Sequence, residues 1–397
     1  SSPPTISAPA DLASDALAKF TSVSVTGPTA DNIIFGETPL ISIFVIELIS
    51  ASREPWTSAF KIIFINTFIF LFSVVVIEIF FGYWFDKDNY GPYMREHRLR
   101  KTNYEIKYQN NKYNFIYERD YHGLRGKKKD LNLINAVMIG GSTTDERYKP
   151  EEFTITSILN DKLKNDGIDL NIVNAGIEGQ TTRGHLYNLL HWFPKIPNFK
   201  PKYYIYYIGI NDQFLVSDNE DFKDGMVLGD NIFLDNIKSR SIFYNYIRKI
   251  KHKYYSKEKK IEYDFDNSIK KNDDVNFLSY KDFKRKKDIE KILSENNELI
   301  KSYLNRVKKL SEFTKISGGV PIFINQLDAK GYNNEVLVAL NTSLIRFCER
   351  QHLKCIDVSK KLVGKKDYWW DGIHTTPKGS KVVADIIYTD LIKFINK

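Results

Sequence analysis

The sequence predicts an α/β protein, a parallel five-stranded sheet with helices on both faces, preceded by a transmembrane helix. Three observations lead there. From residue 131 onward, short apolar runs alternate with stretches of helical spacing. Strands buried on both faces and separated by helices imply a parallel sheet covered on both sides. Residues 62–85, IIFINTFIFLFSVVVIEIFFGYWF, form one apolar segment interrupted only by Asn66, Thr67, Ser73, Glu78 and Gly82.

At about 1.5 Å per residue that segment crosses a hydrocarbon core of roughly 30 Å. It closes in Phe80, Phe81, Tyr83, Trp84 and Phe85, which suits a membrane–water interface. The side of the large domain stays open. Lys87, Arg95, Arg98, Arg100 and Lys101 follow the span, against Arg53 and Lys61 before it. Those charges place the large domain in the cytoplasm, yet long domains translocate despite their charge.

The chain of 397 residues has room for one large or two modest domains. Its net charge of +9 is unevenly placed: residues 1–57 hold one Lys, one Arg and no Tyr. That shift divides the chain into a Ser/Pro/Ala-rich segment at 1–57, facing a partner or a membrane surface, and a transmembrane helix at 58–86. A juxtamembrane entry region at 87–130 and the α/β domain at 131–397, with an insertion at 215–288, follow. Within the first segment, residues 10–20 suit a short helix and 40–49 an interfacial or buried one. The absence of an initial Met is expected of a processed or trimmed product. Cys348 and Cys355 are too few for a disulfide framework, and two buried thiols are expected rather than a bridge. No spacing of Cys or His suggests a metal, and no cofactor is expected.

The expected strands are residues 134–139, 170–174, 203–208, 320–325 and 353–358. Helical faces are marked by Ile155, Ile158, Leu159 and Leu163; by Leu299, Ile300, Leu304 and Val307; and by Val382, Val383, Ile386 and Ile387. Right-handed crossovers put every strand's carboxyl end along one edge, where open sheets bind ligands. Gly140-Gly141-Ser142-Thr143-Thr144 follows the first strand. Asn174-Ala175-Gly176 ends the second, Gly209-Ile210-Asn211-Asp212 the third, and Trp370-Asp371-Gly372-Ile373-His374 precedes the final helix.

Together these supply a hydroxyl, a glycine N–H, an amide and an acid–imidazole pair, the parts needed for acyl transfer through a serine ester. Ser142 is the candidate nucleophile, His374 the base that accepts its proton, and Asp371 the acid that fixes the imidazole tautomer. The N–H groups of Ser142 and Gly176 and the side chain of Asn211 are candidate oxyanion donors. Each residue alone also fits a plainer role: Gly176 a turn, Asn211-Asp212 a helix cap, Asp371-Gly372 a turn, His374 a solvent-facing loop position. Four strand ends presenting the wanted chemistry at once favour the catalytic reading.

In this order the four blocks resemble those of the SGNH (GDSL-like) hydrolase superfamily. The resemblance implies a three-layer, flavodoxin-like fold, a triad of Ser142, Asp371 and His374, and an oxyanion hole from Ser142, Gly176 and Asn211. Residues Gly123–Gly126 also resemble membrane-anchored bacterial members, which often act on acylated cell-surface glycans, and this implies an extracytoplasmic domain. One departure stands out: Gly141 occupies the place where many members carry Asp, implying a changed loop hydrogen bond rather than lost chemistry.

Residues 215–315 exceed what a crossover needs. Residues 214–282 are placed to form a lid or wall over the catalytic edge, with 264–282 polar and flexible and 289–313 the crossover helix. The basic run 244–260 reads as a solvated helix face, with contact to anionic lipid or an acidic glycan as the sharper alternative. The expected function is a membrane-bound serine esterase acting on an acyl, first of all acetyl, ester of a carbohydrate. The alternatives are O-acyl transfer to a glycan at the same site, and a catalytically idle assembly subunit of a membrane complex. The expected partners are an acylated glycan or other ester, the bilayer, and a membrane protein through residues 1–57, but not nucleic acid.

Overall fold

Each apolar run becomes a strand within two residues of its expected bounds in the computed structural model. The structure describes residues 55–85, 100–120, 122–126, 130–215, 261–272, 275–286 and 288–395, together with 234, 237–238, 240–247 and 250. The expectations for residues 1–54 and 86–99 lie outside the described residues, as does most of the basic run beyond residue 250.

The first described element is helix α1 (Pro55–Phe81), followed by strands β1 (Arg100–Tyr108), β2 (Asn111–Arg119) and β3 (Ala136–Gly140). Next come α2 (Ser142–Asp145), α3 (Ile155–Asn165), β4 (Ile172–Asn174), α4 (Thr182–Tyr187) and β5 (Tyr203–Tyr207). Strand β6 (Ile261–Asp264), helix α5 (Asn297–Ile316), β7 (Val320–Ile324), α6 (Glu335–Arg350), β8 (Lys354–Ile356) and α7 (Pro377–Ile395) complete the main elements. Two compact units divide the chain, Ser1–Phe72 and Ser73–Lys397, and α1 runs across the boundary.

The large sheet has the order β4-β3-β5-β7-β8, with every pair parallel. Every residue of β3 and β5 is buried, which explains why these runs lack polar alternation. Ala136, Met138, Ile205, Tyr207, Ile322 and Ile324 face Leu159 and Leu163 of α3 and Val383 and Ile387 of α7. The alternate residues, among them Val137, Ile139, Tyr204, Tyr206 and Phe323, pack with Val307 and Leu310 of α5 and Leu340 and Leu344 of α6. These are the two helical layers of a flavodoxin-like α/β fold. From β3 the chain passes to β4 on one side and then to β5 on the other. The carboxyl ends of β3 and β5 therefore flank the crevice that this topology leaves open.

A second sheet, β2-β1-β6, has no counterpart in the sequence reading. Strands β1 and β2 form a hairpin through Gln109 and Asn110, at φ 51° and 61°. Two positive φ values match the twist of a hairpin, and the Asp266 carboxylate accepts both turn amides at 2.6 and 2.9 Å. The signal was present as inward Tyr104, Ile106 and Tyr108 at period two. It lacked the Asn-Gly turn that makes hairpins conspicuous. Strand β6 comes from the insertion and pairs parallel to β1.

Within residues 264–282, expected as polar and flexible, the described residues include regular structure. Asp264 ends β6 and caps a helix at Phe265–Lys271, its carboxylate accepting from the Asn267 N–H at 2.9 Å, and Phe265 is fully buried. The expected crossover helix at 289–313 is also interrupted, dividing at Asn296 into Ile289–Glu295 and α5.

The cysteines are a further correction. They form a disulfide rather than two free thiols. Helix α6 ends at Arg350, His352 turns the chain at φ 52°, and β8 brings Cys355 back so that the two Cα atoms lie 6.2 Å apart. That separation is within the range a disulfide spans. A closed loop this short limits the entropic gain, so reduction is expected to lower the stability of the α/β domain by about 2 kcal/mol. Urea unfolding with and without reductant, alongside an unreduced intact mass lacking two hydrogens, checks both points.

Candidate active site

The one-turn helix α2 begins at Ser142, directly beyond β3. Thr144 and Asp145 donate backbone N–H groups to the Gly141 carbonyl, each at 3.0 Å, and so hold the turn sharp. This presents the Ser142 hydroxyl half-buried at the carboxyl edge of the sheet. His374 Nε2 lies 2.7 Å from Ser142 Oγ, and its Nδ1 lies 2.7 Å from Asp371 Oδ2. With Nδ1–H donated to the carboxylate, Nε2 is left to accept from the serine. Asp371 Oδ1 accepts the backbone N–H groups of Ile373 at 2.7 Å and His374 at 2.5 Å. Burial pushes this carboxyl up, but the His374 and backbone hydrogen bonds outweigh it and hold it below the ordinary carboxylate value.

The loop carrying both residues is fixed from several sides. Trp370 N–H donates to the His374 carbonyl at 3.1 Å, and Ala329 N–H to the Gly372 carbonyl at 3.0 Å. Asn272, from the insertion, donates its amide to the Asp371 carbonyl at 2.9 Å. Beside them stands an aromatic wall. Trp370 stacks on His374 with ring centroids 5.7 Å apart, Tyr148 meets the same imidazole edge-on at 5.9 Å, and Phe265 stacks behind Trp370 at 5.1 Å. The insertion thus contributes a wall against the catalytic edge, through Tyr263, Phe265 and Asn272.

The expected oxyanion donors fare differently. As the first residue of α2, Ser142 has an N–H with no helical acceptor. The Asn211 side chain donates to the Gln180 carbonyl at 2.8 Å, leaving its second amide hydrogen available, and lies where a Cβ on Gly141 would collide with it. Glycine at 141 leaves room for the Asn211 amide in this position. Gly176 is a correction: it is buried, and its N–H donates to Asn174 Oδ1 at 2.9 Å. A Cβ there would strike the Thr144–Asp145 backbone, so this glycine permits close packing of β4's exit against α2. Gly179, farther along the same loop, is half-buried at φ 74° and precedes Gln180, whose carbonyl holds Asn211. Its positive φ requires a glycine, but the residue type alone did not separate it from Gly176.

Residues 138–382 match the model of the GDSL-like lipase/acylhydrolase family. The chain belongs to this family. It is an ester-hydrolysing enzyme of the SGNH superfamily, with that superfamily's α/β fold. Similar solved structures include the psychrotrophic esterase EstA from Pseudoalteromonas sp., at 13% identity over 66% of this chain and 100% of that one, TM-score 0.38. TesA is similar at 12% identity, covering 66% and 99%, TM-score 0.39. A catalytic mutant of Axe2, an acetylxylan esterase from Geobacillus stearothermophilus, is similar at 14% identity, covering 64% and 93%, TM-score 0.37. No curated protein matches the chain by sequence. Among the enzyme's described residues, no group of three or more His, Cys, Asp or Glu side chains is arranged to hold a metal ion.

Two buried ionic clusters fix the serine turn of the enzyme. Asp145 Oδ1 accepts from Arg119 Nη2 at 2.6 Å and from the Tyr117 hydroxyl at 2.8 Å. The same Arg119 Nη2 reaches the Gly176 carbonyl at 2.5 Å, and Arg125 donates to the carbonyls of Asp145 and Lys149. Burial pushes the Asp145 carboxyl up, but Arg119, Arg125 and Arg147 outweigh it and hold it below its ordinary 3.8. Lys149 bonds Glu146 at 2.5 Å and reaches across to the Thr375 carbonyl at 2.8 Å, joining the serine turn to the histidine loop. On the β5 side, Asp212 accepts from the backbone and hydroxyl of Thr182 at 3.1 and 2.5 Å, which seats α4 and the turn carrying Asn211.

Arg119→Met leaves the buried Asp145 charge without its main partner and is expected to cost about 3–5 kcal/mol. The acid limb should carry the same signature. Because the folded Asp145 pKa is lowered, its contribution is complete above the unfolded value near 3.8 and is lost as pH falls through the lower folded value. Asp145→Asn is expected to flatten this part of the stability profile, measured by urea unfolding from about pH 6 to pH 2.

Proposed function

We propose that the enzyme is a membrane-anchored serine esterase that removes a short acyl group, acetyl first among candidates, from a carbohydrate ester. The observation that carries the reading is the unbroken chain Ser142 Oγ, His374 Nε2, His374 Nδ1, Asp371 Oδ2, with both contacts at 2.7 Å. Ser142 attacks the ester carbonyl as its proton passes to His374 Nε2. Asp371 stabilises the imidazolium without taking the proton. As the ester C–O bond breaks, His374 gives that proton to the departing sugar oxygen, releasing the sugar hydroxyl and leaving an acyl-serine. Water gives its proton to the same nitrogen, the acid is released, and Ser142 is regenerated.

The oxyanion donors in this reading are the Ser142 N–H, the Asn211 amide and the Gly179 N–H, in place of the Gly176 N–H that Asn174 occupies. Each donor aimed at the developing charge contributes roughly 3–4 kcal/mol by mutational precedent. Tyr148 and Trp370 against His374, with Tyr263 packed on both, give the site an aromatic border, which supports a carbohydrate substrate. The division of the chain at 58–86 and 131–397 enters as an anchor followed by a catalytic domain. Residues 58–81 of α1 are apolar enough and long enough to cross a membrane, with mean hydropathy 2.6 and no burial in that window. A disulfide in the catalytic domain persists in an oxidising compartment, which supports the extracytoplasmic side over the cytoplasmic vote of the flanking charges.

Ser142→Ala is expected to abolish labelling by a fluorophosphonate probe and to lower p-nitrophenyl acetate turnover by roughly 10⁴- to 10⁶-fold, with folding intact by circular dichroism. Equal labelling of both proteins would sink the assignment. Asn211→Ala is expected to cost about 10²- to 10³-fold in kcat with little change in KM. The two glycines should part company in kcat: both alanine variants lose about 1–3 kcal/mol of stability, Gly176→Ala by overpacking and Gly179→Ala by its positive φ, but Gly179→Ala, by displacing the N–H, also lowers kcat. Thermal melts and steady-state kinetics on both variants decide between them.

A further inference from the structure

Residues 62–85 contain one charged side chain, Glu78. A carboxylate in so apolar a segment needs partners, since an ionised group in a hydrocarbon environment is costly. Glu78 finds them in the insertion. Its carboxylate accepts from the Ser241 hydroxyl at 2.5 Å, from the backbone N–H groups of Ile242 and Phe243 at 2.9 and 3.3 Å, and from Trp84 Nε1 at 3.0 Å. The chain is stitched beside it, with Tyr83 N–H on the Arg240 carbonyl at 2.8 Å and Arg240 Nη1 on the Trp84 carbonyl at 3.0 Å. Residues 242–247 are helical, as is residue 250, and Ser241 Oγ accepts the Tyr244 N–H at 3.0 Å as an N-cap does.

The start of this helical segment is thus tied to the last turn of α1. On the segment, Phe243, Tyr246, Ile247 and Ile250 are 37%, 61%, 63% and 50% exposed. Their spacing of three, four and seven places them on one helical face. At the end of α1, Phe81 and Phe85 are exposed as well. The sequence continuing the segment reads RKIKHKYYSKEKK from 248 to 260, strongly basic with one acid.

We propose that residues 241–247 and 250 lie in the bilayer interface, their apolar face entering the acyl–headgroup boundary, with the positive charge of the sequence at 248–260 adding attraction to anionic lipid headgroups. The proposal rests on the reading of α1 as a membrane span. Glu78 is the lock: it ties the segment to the end of the span, so that the exposed aromatic and aliphatic faces form one apolar belt. Helices with an apolar face and a basic flank bind this way through burial and headgroup attraction together. The insertion then has two ends with two tasks, one at the lipid surface and one, through Phe265 and Asn272, against the loop of Asp371 and His374.

The test uses the full chain in vesicles of phosphatidylcholine and phosphatidylglycerol, with the native disulfide left oxidised. Single nitroxide labels are placed at Phe70→Cys, Ile247→Cys and Lys309→Cys, the last an exposed aqueous reference. Collision rates with oxygen and with a water-soluble nickel chelate report depth. The expected result is an oxygen-to-nickel ratio several-fold above the reference at both Phe70→Cys and Ile247→Cys. A lipid-like label at 70 with a reference-like label at 247 overturns the proposal and leaves the span standing. Reference-like labels at both positions overturn the span as well. Adding Glu78→Leu should return the 247 label to the reference value while the 70 label stays in lipid; no change at 247 refutes the lock. Replacing phosphatidylglycerol with phosphatidylcholine should reduce the ratio at 247, and an unchanged ratio refutes the headgroup contact.

Discussion

The buried Arg119–Asp145 pair is the contact on which the catalytic edge depends. Asp145 closes the one-turn helix that begins at Ser142, and Arg119 joins that helix to the Gly176 carbonyl at the exit of β4. Removing two charges from water costs several kcal/mol per ion unless geometry and further hydrogen bonds compensate. Here Tyr117, the Gly123 carbonyl and the second guanidinium, Arg125, supply them. The gain is positional: a serine turn that would otherwise rest on a single helical turn is held against a neighbouring strand exit.

The histidine loop is secured by a different principle. It is held by backbone hydrogen bonds from its own residues, by Ala329, by the insertion's Asn272, and by Lys149 reaching over from the serine turn. Seryl and imidazole groups that are 232 residues apart in sequence thereby meet at 2.7 Å. The small sheet gives the insertion a fixed seat, since β6 pairs with β1 and delivers Phe265 onto Trp370. The described part of the insertion thus stands where a wall over the catalytic edge was expected.

Much of this was legible. Strands buried on both faces announce themselves as apolar runs, and a parallel sheet sends their carboxyl ends to one edge, so Ser142, Asn211, Asp371 and His374 could be named from position and chemistry. Other features were not. The β1–β2 hairpin alternates correctly, yet its Gln-Asn turn lacks the usual marker, and the sheet is completed by a strand more than 150 residues away. Gly176 and Gly179 are identical in type. Tertiary structure separates them: Gly176 is buried with its N–H on Asn174, and Gly179 is half-buried at positive φ beside Gln180.

By itself the sequence determined the sheet, its order of catalytic blocks and the apolar length of α1, because periodicity and hydropathy are local properties. Tertiary structure alone decided which glycine packs against α2 and which sits in a left-handed turn, that Cys348 and Cys355 pair, and that Arg119 and Lys149 brace the serine turn. It also gave Glu78 a partner at Ser241, 163 residues away. Such choices depend on which groups long-range packing brings within reach; even Cys348 and Cys355, only seven residues apart, meet because the chain turns back between α6 and β8.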